Sequence, residues 1–166
     1  MTGGRSEAPQ SRLSHLDDRG AARMVDVSEK PVSARSATAS GTVHTTAEVI
    51  GMIAAGGLPK GDALATARVA GVLAAKRTSE LVPMCHQVAL AGVDVDFHIG
   101  VSQVDVSASA RTTDRTGVEM EALTAVTVAA LTLYDMIKAV DPAARLDDIH
   151  VVRKEGGRGG VWTPQP

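Results

Sequence analysis

Residues 122–133 are Ala, Val, Leu and Thr around almost the whole circumference of a helix. The flanks set its limits. A polar turn at residues 112–117 precedes it, Glu119 and Glu121 suit a helix N-terminus, and Asp141-Pro142 stops it, which predicts a helix over about residues 119–140. A helix that is apolar on so many faces must be covered by a sheet, by a partner subunit or by both. The chain has 166 residues, within the ordinary range for one domain, so that cover has to come from the same domain or from another copy.

The rest of the chain supplies strands and shorter helices. Residues 32–43 are small, hydroxylated and β-branched, which predicts a strand. Val93, Val95, Phe97 and Ile99 alternate with Asp94, Asp96 and His98. After a turn around Gly100, Val104, Val106, Ala108 and Ala110 alternate with Asp105, Ser107, Ser109 and Arg111. These two runs predict an antiparallel hairpin with one wet face. Thr45 followed by Glu48 forms a capping box for a short helix carrying Val49, Ile50, Ile53 and Ala54, with Gly56-Gly57 as its stop. After the loop Leu58-Pro59-Lys60-Gly61-Asp62, Asp62 caps an Ala-rich helix running to about Thr78. A last strand is expected at residues 149–152, before a Gly-rich stretch at 156–160. Strands in hairpins with segregated helices give an α+β class, with helices on one face of an antiparallel sheet.

Composition removes several functions. A net charge of −2 and only three aromatic residues, Phe97, Tyr134 and Trp162, leave little electrostatic attraction or stacking for nucleic acid. Cys85 is the single cysteine, so no intrachain disulfide forms. The first residues are polar without an apolar signal core, and no run reads as membrane-spanning, so a cytoplasmic protein without membrane or nucleic-acid partners is expected. Residues 1–20 read as a disordered arm, 21–160 as one catalytic domain and 161–166 as a flexible tail.

Candidate chemistry gathers beside the apolar helix. Asp135 and Lys138 share one helix face, and their spacing suits either a surface ion pair or an acid–base pair. Glu121 and Asp135 point within roughly 40° of each other but lie about 21 Å apart along the axis, so they cannot grip one small group within a single subunit. A long ligand or a second chain is needed to join them. In Leu81-Val82-Pro83-Met84-Cys85-His86-Gln87, adjacent Cys85 and His86 point apart, and no metal ligand set is identified. Cys85 reads as a small buried hydrophobe, with a catalytic thiol as the alternative, and His86 as a satisfied core histidine rather than a ligand contact. Lys60 stands just before a helix N-terminus, where an anionic ligand and free N–H groups can meet. The tail from Arg153 to Gly160 joins basic side chains to permissive backbone, which suits phosphates or a flexible end equally.

Several blocks make the chain more specific. Met24-Val25-Asp26-Val27-Ser28, Lys60-Gly61-Asp62, Ala65-Thr66-Ala67-Arg68, Ala74-Ala75-Lys76-Arg77-Thr78, Cys85-His86, Gly117-Val118-Glu119-Met120-Glu121-Ala122-Leu123-Thr124 and Leu133-Tyr134-Asp135-Met136 with Lys138-Ala139-Val140 resemble the MoaC family. Lys154 followed by Gly156-Gly157 does too, and the likeness runs in order over about residues 13–160.

That resemblance implies a phosphorus–oxygen lyase that converts 3′,8-cyclo-7,8-dihydroguanosine triphosphate into cyclic pyranopterin monophosphate and pyrophosphate, in molybdenum-cofactor biosynthesis. It also implies a ferredoxin-like α+β fold and a hexamer, a trimer of dimers, with sites at subunit interfaces. By position, Asp135 resembles the family's acid–base residue, with Lys138 and Lys60 as catalytic partners. Met84, Cys85, His86, Met120 and Glu121 resemble substrate-contacting positions, with Glu119 and Lys154 alongside. The implied chemistry needs a carboxylate and a partly desolvated lysine for proton transfer, and cations for charge developing on phosphate oxygens. No cofactor is required, and Mg²⁺ enters only as a companion of the departing pyrophosphate. Two positions depart from the family pattern. Gln87 replaces a proline after Cys-His, and Arg158-Gly159 replaces Lys-Ser. A scaffold that binds the pterin nucleotide without turnover, and a metal-dependent nucleotide hydrolase, are the alternative readings.

Overall fold

A computed structural model describes residues 19–165. The expected arm at residues 1–20 lies outside this range except for Arg19 and Gly20. The elements are β1 (Ser33–His44), α1 (Ala47–Ala55), α2 (Ala63–Ala75), α3 (Thr78–Leu81), β2 (Leu90–Ile99), β3 (Gln103–Asp114), α4 (Glu119–Ile137) and β4 (Arg145–Glu155). The four strands form one sheet in the order β2-β3-β1-β4, with every neighbouring pair antiparallel. This is the split βαβ arrangement of ferredoxin-like folds.

The middle of the sheet explains the weak-looking first strand. Ala37, Ala39, Gly41 and Val43 of β1 are all buried, and their register partners are Ala110, Ala108, Val106 and Val104 of β3. These residues are small because α4 crosses them closely. A Cβ on Gly41 would lie 2.8 Å from Val126 Cγ1 and 3.0 Å from Ile149 Cγ1. The opposite sheet face is hydroxylated and acidic: Thr38 Oγ1 bonds Ser109 Oγ at 2.8 Å, and Thr42 Oγ1 donates to Asp105 Oδ1 at 3.0 Å. Helices therefore cover one face only.

Helix α4 buries Ala122, Ala125, Val126, Ala129, Ala130, Leu133, Met136 and Ile137 together with Glu121. Its second cover is α2, whose Gly71 sits so close that a Cβ there would lie 2.9 Å from the Ala125 carbonyl oxygen. Contrary to the sequence reading, α4 has the length and composition of a membrane span, yet half of it is buried inside this domain. A strip is left uncovered: Leu131 is 55% exposed and Asp135 follows one turn later.

Several boundaries differ from the sequence expectations. Thr46, not Thr45, caps α1 by accepting from the Val49 amide at 3.3 Å. Thr45 instead donates to Asp141 Oδ2 at 2.8 Å, tying the start of α1 to the turn after α4. The Ala-rich helix ends at Ala75, and a separate turn of helix, α3, follows. Helix α4 stops at Ile137, three residues before Val140, because Asp141 folds onto its own turn and accepts from the Ala143 amide at 3.1 Å. The last strand runs over Arg145–Glu155, since pairing with β1 extends it on both sides. Trp162, inside the segment expected to be a free tail, exchanges two backbone hydrogen bonds with Lys154 at 2.9 and 3.0 Å.

Candidate functional site

The candidate residues fall into two groups, one at each end of α4. At the C-terminal end, Asp135 is clamped between two lysines. Lys60 Nζ donates to Asp135 Oδ2 at 2.7 Å, and Lys138 Nζ approaches Oδ1 at 2.7 Å. Lys60 reaches this point because Asp62 fixes its loop, accepting from the Ala65 amide at 2.9 Å, and because Leu58 is buried beneath it. Its ammonium also caps the Asp135 carbonyl oxygen at 2.8 Å, a cation placed on the negative end of the helix dipole.

The electrostatics of this group are those of a strong ion pair in water. The hydrogen bond from Lys138, then the one from Lys60, pulls the Asp135 carboxyl down to about 2, and the same carboxylate raises Lys138. The Asp135 side chain is 52% exposed. The expected partly desolvated lysine is therefore not found in the single chain, where both ammonium groups meet solvent.

At the N-terminal end of α4 the environment is inverted. Met84, Cys85, His86, Glu119, Met120 and Glu121 line one cavity of about 580 Å³. Glu121 is only 4% exposed. Burial raises its carboxyl above the ordinary value, with Glu119 adding a smaller push and its own backbone amide opposing. Burial raises the Cys85 thiol as well, helped by Glu121, which keeps it a thiol rather than a nucleophilic thiolate. His86 Nε2–H donates to the Val25 carbonyl at 2.7 Å, a satisfied histidine that nevertheless faces the cavity. Lys154 stands at the rim, its Nζ 3.0 Å from Glu119 Oε1 and 5.9 Å from the Trp162 ring centroid.

The structure thus joins Lys60, Asp135 and Lys138, separately joins the six cavity residues with Lys154, and keeps the two groups apart by the length of α4. Sequence reasoning assigned no role to Val25, Val27, Lys30, Val88, Thr116 and Gly117, which complete the cavity. For Val25 and Val27 the available signal was the block Met24-Val25-Asp26-Val27-Ser28. It enters the site because His86 holds the Val25 carbonyl.

The long helix of this ferredoxin-like sheet thus ends in a lysine–aspartate–lysine cluster and begins at a cavity holding a buried glutamate. The chain belongs to the MoaC family, which it matches over residues 24–157. It is 64% identical over 160 residues to "Cyclic pyranopterin monophosphate synthase 2" of Mycobacterium tuberculosis, covering 96% of each chain. The cyclic pyranopterin monophosphate synthase of Streptomyces coelicolor is 55% identical over 160 residues, 96% of this chain and 94% of the relative. That of Thermomicrobium roseum is 52% identical over 154 residues, 92% of this chain and 93% of the relative.

Proposed function

We propose that this chain is a cyclic pyranopterin monophosphate synthase of molybdenum-cofactor biosynthesis. It takes 3′,8-cyclo-7,8-dihydroguanosine triphosphate and releases cyclic pyranopterin monophosphate and pyrophosphate. The observation that carries the reading is the intact Lys60–Asp135–Lys138 contact in a chain 64% identical to a synthase over nearly its full length.

The reaction asks two things of the protein. Rebuilding the ring system needs proton donors and acceptors. Asp135 as the acid–base residue with its partners Lys138 and Lys60, and beside them buried Glu121 with its raised carboxyl, are the groups available for that work. Forming the cyclic phosphate makes a bond from a substrate hydroxyl oxygen to the α-phosphorus and breaks the bond to the departing pyrophosphate. Lys60, Lys138 and Lys154 are cations suited to the charge that develops on those oxygens, and Asp135 holds the first two in register. Met84, Cys85, His86 and Met120 shape the cavity around the substrate, beside Glu119. No resident cofactor is part of the proposal, and Mg²⁺ would enter as a companion of the phosphates.

The uncovered strip on α4 supports an assembly of several copies. Leu131 and Asp135 lie one turn apart on the same exposed face, so a second copy that covers Leu131 also desolvates Asp135 and its lysines. The same contact allows one chain's cluster to face another chain's cavity, removing the separation of about 21 Å along α4. We therefore propose a homo-oligomer, a hexamer built as a trimer of dimers, working in the cytoplasm with sites between subunits and without nucleic-acid or membrane partners.

Product analysis tests the activity. Purified protein given the cyclised nucleotide is expected to release cyclic pyranopterin monophosphate and pyrophosphate in equal amounts. Binding without product would mark a scaffold instead, and phosphate released from GTP alone would mark a nucleotide hydrolase.

A further inference from the structure

The chain does not leave the sheet at Glu155, the last residue of β4. Gly156, Gly157 and Gly160 have φ of +96°, +68° and +61°, and these left-handed residues reverse its direction. The Gly156 amide donates to the Gly160 carbonyl at 3.1 Å, closing the turn. Trp162 then lies antiparallel beside Lys154, and the two exchange both backbone hydrogen bonds, at 2.9 and 3.0 Å. Strand β4 is at the edge of the sheet, so this pairing covers part of its free edge with an aromatic residue.

Register decides where the two side chains point. Ala37 is the β1 partner of Lys154 and is buried on the helix-covered face of the sheet. Lys154 shares that face, and its Nζ reaches Glu119 Oε1, in the first turn of α4, at 3.0 Å. Directly opposite residues of an antiparallel pair project to the same side, which brings the Trp162 ring to the same ammonium, its centroid 5.9 Å from Nζ. Glu119, Val151, Lys154 and Trp162 line a notch of about 160 Å³, and Glu119 also lines the Glu121 cavity. The notch therefore adjoins the substrate cavity through Glu119.

The two partners of the Lys154 ammonium act differently. Glu119 attracts it but is itself an anion, so it repels a phosphate that comes to the same cation. An indole face attracts the ammonium through its quadrupole and carries no net charge to oppose a phosphate. Its flat wall also restricts a long side chain that is 45% exposed. Trp162 is itself 44% exposed, so its ring is not consumed by core packing.

We propose that Trp162 is a positioning residue: its ring holds the Lys154 ammonium at the rim of the Glu121 cavity when phosphate oxygens replace Glu119 as the partner of that cation. That Lys154 meets substrate phosphates rests on the synthase reading. Trp162 lies outside residues 24–157, the part of the chain that matches the family.

Variants of the full chain test the role with the cyclised nucleotide. Trp162→Leu keeps an apolar side chain but no π face, and is expected to lower kcat/KM about tenfold at a melting temperature near that of the wild type. Trp162→Phe keeps a ring and is expected to stay within about threefold. In a Lys154→Met background, Trp162→Leu is expected to cost nothing further, because the cation it positions is gone. The same loss in both backgrounds, or near-normal kcat/KM in Trp162→Leu, would overturn the positioning role and leave the synthase reading standing. Trp162 is the chain's one tryptophan, so its fluorescence gives a readout that needs no turnover. Titration with inorganic pyrophosphate is expected to change the wild-type emission and to leave that of Lys154→Met unchanged. No change in the wild type, or the same change in Lys154→Met, would overturn the role even where Trp162→Leu fails to fold. The expected fluorescence pattern in a protein that never turns over the nucleotide would support the role and remove the synthase reading.

Discussion

Asp135 and Glu121 are two carboxylates on one helix, and their surroundings drive them in opposite directions. Asp135 sits half-exposed between two ammonium groups and falls to about 2. Glu121 is buried beside Cys85 and Met120, and its carboxyl rises. The first is held ionised by Lys60 and Lys138, which its two oxygens bridge in turn. The second already has the kind of environment that brings a carboxyl nearer to neutral pH. The difference teaches that place along one helix, solvent and two ammonium groups at one end and apolar burial at the other, sets what each carboxylate can do.

The largest expected effects come from breaking the exposed end. Lys60→Ala and Lys138→Met are each expected to lower turnover by roughly 10²- to 10⁴-fold, with melting temperatures close to wild type because both side chains are exposed. Asp135→Asn keeps the size of the side chain but releases both lysines, and turnover is expected to fall by roughly 10²-fold with a smaller change in KM. Steady-state kinetics on the cyclised nucleotide measures all three. Near-normal turnover in any of them would make that residue a surface decoration.

The pH dependence of stability sharpens the contrast, because the two carboxylates contribute with opposite sign. Asp135 titrates lower in the folded protein than its ordinary value of 3.8, so its contribution is present above that value and is lost as pH falls toward about 2. Glu121 titrates above its ordinary value of 4.5, so its contribution is present at low pH and is lost as pH rises through the raised range. Thermal melts from pH 2 to 8 are expected to lose the acid-side slope in Asp135→Asn and the opposing slope in Glu121→Gln. Slopes of the same sign in both would contradict the assignment of environments.

A smaller effect is expected at the middle of α4, between the two ends. Gly71→Ala adds a methyl 2.9 Å from the Ala125 carbonyl and 3.2 Å from Ala129 Cβ and Val95 Cγ2. Overpacking of this kind costs about 1–3 kcal/mol, against a helix-propensity gain of about 1 kcal/mol, so net destabilisation is expected. Denaturant unfolding measures it. Activity per folded protein should remain normal, because neither end of the helix is touched.

Much of this was legible in the sequence. Strict alternation at residues 93–99 and 104–110 gave the hairpin, and Asp62 and Gly56 gave two helix ends. The central position of β1 was not legible, because Ala37, Ala39 and Gly41 are small for the sake of α4, a partner about eighty residues away. The Asp135–Lys138 pair could be read from helical spacing, whereas the Lys60 contact spans 75 residues and came only through the family resemblance.

Subunit complementation tests the central claim most directly, namely that a working site joins the lysine cluster of one copy to the Glu121 cavity of another. Lys60→Ala and Glu121→Gln proteins, each inactive alone, are to be unfolded together and reassembled in equal amounts. If sites form between chains, random pairing leaves about one quarter of them with both halves intact, and about one quarter of wild-type turnover should return. Activity no greater than the sum of the two separate proteins would contradict the shared site and place both halves within a single chain.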